Sequence, residues 1–323
     1  VEQYGHELRF FPSTWRSATI GGFVAGGSSG CGAIGYGTLH GRGNVLGLKV
    51  LTAEEEPRIV ELRGDDVQSV IHAYGTTGII LEVELALAPL RRWHDRIIAM
   101  PDVASALGLA DATARDDAIG KKQLTFYGPG TSAFIRPIAA LADPASPLIL
   151  AMLDEDTLPA FDALVAKVGG RTIFERSPDV RPGRVPPLYE LCWNHTTLHA
   201  IGCDPAISYL QCAFPSDYIP AVKAIIAELG DETPMHLELA RLEGETGCFG
   251  IPLLRFTSEQ RLAEIHAIFR RNGCTNFNPH TCLLENGGLQ VADPAQFAFR
   301  KASDPFGLLN PGKMPGWDAP AVN

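Results

Sequence analysis

The segment from Trp193 to His199 brings together side chains that can carry chemistry. It reads Trp-Asn-His-Thr-Thr-Leu-His, so an indole, an amide and two imidazoles lie close together in the chain. A helix would place His195 and His199 on one face, because they are four positions apart. Imidazoles accept protons or bind zinc, but the segment lacks the glutamate of His-Glu-x-x-His zinc sites. We therefore predict no metal site, and both histidines stay candidates for proton transfer or for a structural role.

Two further pairs of polar residues are candidates. His236 and Glu238 are two positions apart, which would place an imidazole and a carboxylate on the same face of a strand. Asn278 and His280 flank a proline after the second of two similar strand–helix units. Their position makes His280 a candidate base, with Asn278 beside it.

The two similar units position several of these residues. Their strands end at Phe214 and Phe256, and a serine follows two residues after each. The predicted caps and stops are Ser216 and Gly230 for the first helix, and Ser258 and Gly273 for the second. This repeat predicts a duplicated β-α-β half, as in ferredoxin-like folds. Tyr209 and Arg255 lie on the repeated strands and face either a ligand or the core.

Glycine is concentrated near the start of the chain. Eleven of the 33 glycines fall between Gly21 and Gly47, a density that no helix tolerates. Gly30 to Gly35 matches the dinucleotide pattern G-x-G-x-x-G, and Glu54–Glu56 follow at a distance of about 20 residues. That motif must open a helix, and each glycine that follows would cost such a helix about 1 kcal/mol. We therefore disfavour a Rossmann site and predict backbone-driven turns.

Regular elements surround this segment. The predicted elements are a strand hairpin over 44–52 and 58–63, a helix over 66–74, a strand over 79–87 closed by Pro89, and a helix between Thr157 and Gly169. From about residue 91 the glycine density falls and strand–helix units begin. A change of domain is predicted there.

Composition limits the classes of function. A length of 323 residues favours two domains, and a formal net charge of −10 argues against a nucleic-acid partner. No apolar run approaches the roughly 20 residues of a membrane span, and no signal-peptide pattern is present, so we predict a cytoplasmic protein. The seven cysteines form no Cys-x-x-Cys pair, which predicts reduced, mostly buried thiols.

Two groups of motifs resemble one flavoprotein superfamily. The first group is Ala18-Thr-Ile-Gly-Gly22, Ser29-Gly30, Tyr36-Gly37, the run 45–50 and Gly78-Ile-Ile80. It resembles the second half of the FAD-binding domain in enzymes of the vanillyl-alcohol oxidase and p-cresol methylhydroxylase (PCMH) type. The second group, Asp304-Pro-Phe-Gly-Leu-Leu-Asn-Pro-Gly-Lys313, resembles the C-terminal signature of the same superfamily, as in the FAD-linked subunit of glycolate oxidase.

The resemblance implies an α+β fold in three parts. Residues 1–90 would form the second half of a PCMH-type FAD-binding domain. Residues 91–288 would form a ferredoxin-like cap that binds substrate, with an antiparallel sheet and helices on one face. Residues 289–323 would return to the FAD domain.

The same resemblance implies FAD as cofactor and a set of site residues. The implied FAD-binding residues are Thr19, Gly21, Gly22, Ser29, Gly30, Gly35, Ile80 and Lys313. The implied catalytic residues are His280, His195 and Asn278, and the implied substrate-binding residues are Tyr209, Arg255 and His199. Glycines suit this task because a backbone without Cβ atoms can approach a pyrophosphate closely and donate N–H groups to it.

The implied function is an FAD-dependent oxidoreductase that oxidises a hydroxyl-bearing carbon of a hydroxy acid or alcohol by hydride transfer to the flavin. The sequence departs from the family in two places. Nothing resembles the N-terminal FAD subdomain with its Arg-Gly-Gly loop, and the first residue is Val1, so we expect a fragment of a longer protein. The segment 284–288 reads Leu-Glu-Asn-Gly-Gly, where the glycolate oxidase branch has Gly-Glu-His-Gly.

The alternative function is that of a catalytically silent subunit of a multi-subunit flavin dehydrogenase. Expected partners are a small-molecule substrate and a second copy or another subunit.

Overall fold

The computed structural model describes residues 1–242, 244–277, 279–280 and 293–313. The chain divides into two compact units. Unit 1 contains residues 1–30, 38–89 and the described residues from 277 onward, and unit 2 contains residues 31–37 and 90–276. Each unit is therefore built from separate stretches of the chain.

The described residues form both helices and strands in each unit. The α-helices are α1 Ile20–Gly26, α2 Ala33–Tyr36, α3 Val103–Arg115, α4 Leu158–Lys167, α5 Asn194–Cys203, α6 Tyr218–Leu229, α7 Glu259–Arg271 and α8 Pro294–Ser303. The strands are β1 His6–Leu8, β2 Val45–Leu51, β3 Ile59–Arg63, β4 Ile79–Leu85, β5 Leu87–Pro89, β6 Trp93–Ala99, β7 Lys121–Tyr127, β8 Leu148–Asp154, β9 Arg171–Arg176, β10 Ile207–Tyr209, β11 Gln211–Ala213, β12 His236–Leu242, β13 Glu245–Gly250, β14 Leu253–Arg255 and β15 Thr275–Phe277.

Strand β2 is the centre of a three-stranded sheet in unit 1. It pairs antiparallel with β3, where Leu48 lies opposite Leu62, and antiparallel with β4 on its other side. Leu48 and Val50 are buried, whereas Lys49 between them pairs with Glu82 at 3.0 Å on the outer face. This alternation is that of a sheet with one covered face. The predicted hairpin is confirmed.

The predicted helix over 66–74 is wrong. A 3-10 helix covers Gly64–Ser69, and His72 and Tyr74 then adopt left-handed φ angles of 54° and 55°. Such residues end a right-handed helix. The following strand is present as β4 and β5, and Pro89 is its last residue.

Helix α8 is tied to unit 1 by hydrogen bonds. The side chain of Gln296 donates to the carbonyl of Ile71 at 2.9 Å, and the backbone N–H of Ala53 donates to the carbonyl of Ser303 at 2.6 Å. The motif after α8 folds around Asp304, whose buried carboxylate accepts the N–H groups of residues 308 and 309 at 2.8 and 2.9 Å. The C-terminal motif is therefore a compact turn around a buried acid.

Unit 2 is built on an eight-stranded sheet in the order β15-β11-β13-β12-β7-β8-β6-β9. Each neighbouring pair with a defined register is antiparallel. Four helices contribute to one apolar core with alternate residues of the central strands. Its members include Leu107 of α3, Phe161 of α4, Ile225 of α6, Ile265 of α7, Leu124 and Phe126 of β7, and Leu237 and Leu239 of β12. Since strand residues alternate, Thr125 and Glu238 lie on the opposite face.

The two predicted strand–helix units are present with shorter strands. Ser258 caps α7 by accepting the N–H of Arg261 at 3.1 Å, as predicted. The N-cap of α6 is Asp217 and not Ser216. Strand β14 is separated from β13 by two residues including Pro252, which has no N–H to donate to a ladder. Strands β10 and β14 pair with each other, and Ile207 lies opposite Arg255.

Candidate functional site

The start of α1 brings together four of the predicted FAD-binding residues. Thr19 is the N-cap, and its Oγ1 accepts a hydrogen bond from the N–H of Gly22 at 3.0 Å. Gly21 faces Ile80 on β4, because a Cβ at Gly21 would lie 3.6 Å from the carbonyl oxygen of Ile80. This is an ordinary van der Waals distance, so the start of α1 lies against β4 at this position.

Ser29 and Gly30 follow in the same unit. The Oγ of Ser29 is buried and has no hydrogen-bond partner among the described residues. Burying a hydroxyl without a partner costs about 1–3 kcal/mol, so a ligand atom that bonded it would remove this penalty. A side chain at Gly30 would overlap the carbonyl oxygen of Phe11. Gly30 is therefore required by the packing of the chain itself.

Two predicted FAD-binding residues lie apart from this group. Gly35 is in α2 of unit 2, where a Cβ would lie 3.8 Å from the carbonyl oxygen of Lys121. Lys313 is in unit 1, at the end of the C-terminal turn, and its backbone N–H donates to the carbonyl of Asn310 at 3.3 Å. The structure therefore gathers Thr19, Gly21, Gly22 and Ile80, and places Gly35 in the other unit.

A fully buried carboxylate is the centre of a polar cluster in unit 2. Glu238 on β12 is inaccessible to solvent. Its Oε2 accepts hydrogen bonds from the hydroxyl of Thr125 at 2.7 Å and from the amide of Gln123. Its Oε1 accepts the backbone N–H of Trp193 at 2.5 Å and faces Nε2 of His236 at 2.7 Å. Three groups thus donate to the carboxylate, and the ring of His236 lies within hydrogen-bond distance of it.

His236 shares the burial of Glu238. Its Nδ1 lies 3.2 Å from the carbonyl oxygen of Ile251, while its Nε2 faces the carboxylate. The ring of Tyr127 packs against it edge-on, with centroids 5.4 Å apart. Both ring nitrogens therefore lie beside oxygen acceptors, the backbone carbonyl and the carboxylate. The predicted placement of His236 and Glu238 on one strand face is confirmed.

Trp193 connects this cluster to helix α5. It is the N-cap of α5 and has a φ of 54°. A bulky residue in the left-handed region costs about 1–3 kcal/mol, and surrounding contacts must hold it there. The contacts are its backbone N–H to Glu238 and its indole N–H, which donates to the side-chain oxygen of Gln123 at 3.0 Å. Sequence reasoning missed Gln123 and Thr125, although their alternation on one strand was a usable signal.

Helix α5 carries the two candidate histidines, His195 and His199. Nδ1 of His195 is buried without a hydrogen-bond partner among the described residues. Burial lowers the pKa of His195 below its usual 6.5, and the neighbouring His199 lowers it further. Nε2 of His199 lies 3.1 Å from the carbonyl oxygen of Glu190. His195 is therefore a neutral imidazole at pH 7, able to accept a proton, whereas His199 has a structural contact.

The remaining predicted site residues are dispersed. Arg255 on β14 forms an ion pair with Asp204 at 2.5 Å, and Tyr209 on β10 is half-buried. His280 is exposed and belongs to unit 1, whereas His195 belongs to unit 2. Asn278 and the segment 284–288 lie outside the described residues.

Metal sites and membrane-spanning helices are two further features to consider in the described residues. In that part of the chain, no group of three or more histidine, cysteine, aspartate or glutamate side chains is arranged to bind a metal ion. None of its helices combines the length and apolar character that a bilayer crossing requires.

Comparison with known proteins gives a likeness in structure. No protein-family model matches the sequence, and no curated protein matches it significantly. Two solved structures of alkyldihydroxyacetonephosphate synthase, in space groups P1 and P212121, match with a TM-score of 0.63 and 14% identity. The matches cover 96% and 97% of this chain but 60% of each synthase chain.

This likeness shows the fold. The chain has a mixed helix and sheet architecture with antiparallel sheets, and its fold is similar to that of alkyldihydroxyacetonephosphate synthase. The predicted α+β class with antiparallel sheets is confirmed at this level, while the PCMH-type FAD-binding assignment and the likeness to glycolate oxidase stay predictions. The chain spans about 60% of the length of the synthase chains that it matches.

Proposed function

We propose that this chain contributes the second half of an FAD site and a substrate-binding unit to an FAD-dependent oxidoreductase. The observation that carries the proposal is the buried, unpartnered Oγ of Ser29, in the same unit as the contact between the start of α1 and Ile80. An orphaned donor beside glycine-rich backbone fits a polar, extended cofactor. The likeness in fold to alkyldihydroxyacetonephosphate synthase and the two sequence motifs support the same assignment.

The residues of unit 1 would hold FAD by hydrogen bonds and close backbone contact. In this proposal the Ser29 hydroxyl donates to a cofactor oxygen, and the backbone around Gly21, Gly22 and Ile80 lies along the cofactor. Lys313 would contribute positive charge near the phosphates. The N-terminal subdomain that the family resemblance implies would complete the site.

Unit 2 would supply the proton chemistry. Bound FAD would take a hydride from a hydroxyl-bearing carbon, and the hydroxyl proton must then go to a base. His195 suits this step because its lowered pKa leaves the ring neutral at pH 7. We propose a hydroxy acid or alcohol as the substrate class, with Tyr209 at its binding surface.

The visible absorbance spectrum tests the proposal. We would compare the purified chain with a version extended at its N-terminus by the upstream genomic segment. Flavin bands in the extended protein are expected, and their absence from both proteins would overturn the FAD assignment. Ser29→Ala should lower flavin content in the extended protein. Ser28→Ala, at an exposed neighbouring position, is the matched control and should leave it unchanged.

A second candidate function is a catalytically silent subunit of a flavin dehydrogenase. The ion pair of Arg255 with Asp204 favours it, because a guanidinium held by a carboxylate is less available to a substrate acid. Turnover separates the two functions. An enzyme should reduce an artificial electron acceptor when hydroxy acids or alcohols are supplied to the flavin-loaded protein, and His195→Gln should lower kcat without lowering flavin content. A silent subunit should show no turnover, either as the wild type or as His195→Gln.

A further inference from the structure

Glu238 has four hydrogen-bond partners, and one of them is a backbone N–H outside its own sheet. Three of its partners, Gln123, Thr125 and His236, lie on the central strands β7 and β12. The fourth is the backbone N–H of Trp193, which precedes α5. A buried carboxylate thus connects the sheet to the start of a helix.

The start of α5 is also held at Thr196, whose hydroxyl donates to the carbonyl of Leu191 at 2.6 Å and lies 3.1 Å from the hydroxyl of Tyr127. The N–H of His195 donates to the carbonyl of Cys192 at 3.2 Å, and the N–H of Thr196 donates to the carbonyl of Trp193 at 3.2 Å. Both bonds lie within the turn and follow wherever Trp193 places it. The left-handed φ of Trp193 is therefore set from outside the turn, by Glu238 and by the indole bond to Gln123.

We propose that Glu238 is a positioning residue, which through the backbone of Trp193 fixes the first turn of α5 and the orientation of His195. The proposal rests on the proposed function, in which His195 accepts the substrate proton. If the carboxylate is lost, the backbone N–H of Trp193 loses its acceptor and the indole bond to Gln123 alone opposes the strain, so Trp193 can return to an ordinary φ. The peptide groups that follow then rotate, and the His195 ring moves with them.

The surroundings of His195 make this movement measurable. The groups that act on its charge are the neighbouring imidazole of His199, the carboxylate of Glu190 and the backbone of Tyr189. Burial is the largest influence. A shift of the first turn would expose the ring and weaken the effect of burial, so the titration midpoint of His195 reports the position of the turn.

The test is a histidine NMR titration of the full chain, with His195→Gln used to assign the resonance. The wild-type midpoint should lie below 6.5 and should move up toward 6.5 in Glu238→Leu, which removes both acceptor oxygens of the side chain. Thr125→Val removes one donor to the carboxylate without touching Trp193, and it should give a smaller shift in the same direction. Glu232→Gln breaks an ion pair with Arg261 elsewhere in unit 2 and is the matched control, with an unchanged midpoint expected.

The outcomes distinguish this proposal from the proposed function. Folded Glu238→Leu protein with the wild-type midpoint would overturn the positioning role. If Glu238→Leu does not fold, Thr125→Val decides in the same way. Absence of turnover in the flavin-loaded wild type would overturn the role of His195 in catalysis, but the NMR result would still stand because it needs no turnover.

Discussion

The hydroxyl oxygen of Tyr74 lies 2.9 Å from Nε2 of His72, and both residues have left-handed backbone. Nδ1 of His72 lies 3.1 Å from the carbonyl oxygens of Gly26 and Gly27. Since carbonyls only accept, Nδ1 carries the ring proton and Nε2 accepts the proton of the Tyr74 hydroxyl. This hydrogen-bonded histidine joins the end of α1 to the segment that leads into β4.

The stability of the protein should decrease as the pH is lowered, because of His72. Burial lowers the pKa of His72 to about 4 from its usual 6.5, and repulsion by His40 contributes. Between these values the unfolded chain binds more protons than the folded one, so the stabilisation is complete above pH 6.5 and is lost as the pH falls toward 4. The loss should reach up to about 3 kcal/mol in urea unfolding.

His72→Asn isolates this effect. Asparagine tolerates the left-handed region and keeps a donor, but it does not titrate. The variant should lose less stability than the wild type across this pH window. His6→Asn, at an exposed histidine, should keep the wild-type dependence. Parallel curves for His72→Asn and wild type would contradict the assignment.

The attachment of α8 should depend on Ser303. Its buried hydroxyl donates to the carbonyl of Thr77 at 2.8 Å, just before β4. Ser303→Ala leaves that carbonyl without this donor and should lower the free energy of unfolding by about 1–2 kcal/mol. Ser17→Ala, at an exposed hydroxyl, is the control and should unfold at the wild-type urea concentration.

The buried ion pair of Arg176 and Asp95 should be the most sensitive pair in unit 2. The guanidinium donates to Asp95 and to the carbonyls of Val185 and Pro186 at 2.7 and 2.9 Å. Asp95→Asn would leave a buried cation without its anion and should cost about 3–5 kcal/mol in thermal or urea unfolding.

A surface pair provides the comparison. Arg42 and Asp65 lie 2.7 Å apart with most of both side chains exposed. Solvent screens such pairs, so Asp65→Asn should leave the unfolding transition in place. Equal losses for Asp95→Asn and Asp65→Asn would mean that burial does not set the strength of these pairs.

The sequence predicted elements whose residues alternate or cap locally. The hairpin of β2 and β3 follows from alternating apolar residues, and α7 begins where Ser258 predicts it. The helix over 66–74 was wrong because His72 contacts the carbonyls of Gly26 and Gly27, about 45 residues earlier, and the backbone N–H of Tyr74 donates to the carbonyl of Ala25 at 2.7 Å. Local propensity carries no information on such contacts.

The candidate site could be predicted only in part for the same reason. The spacing of His236 and Glu238 indicated a shared strand face, which the structure has. The partners Gln123 and Trp193 come from distant parts of the chain, and strand pairing of β12 with β7 brings Gln123 to Glu238. Gly35 matched a motif by spacing, but its α2 helix belongs to the other unit. The spacing of residues within a motif does not determine which structural unit each residue belongs to.

Two glycines near the proposed FAD site should respond in opposite directions to alanine. A Cβ at Gly30 would overlap the carbonyl oxygen of Phe11, so Gly30→Ala must displace backbone. We expect a loss of about 1–3 kcal/mol in the free energy of unfolding. A Cβ at Gly26, the last residue of α1, would meet nothing within 4 Å among the described residues, and its φ is not left-handed. Gly26→Ala should therefore stabilise the protein by up to about 1 kcal/mol, since alanine restricts the unfolded chain. Urea unfolding of both variants measures the difference in the free energy of unfolding. If Gly26→Ala also destabilised the protein, the loss in Gly30→Ala could not be assigned to the contact with Phe11.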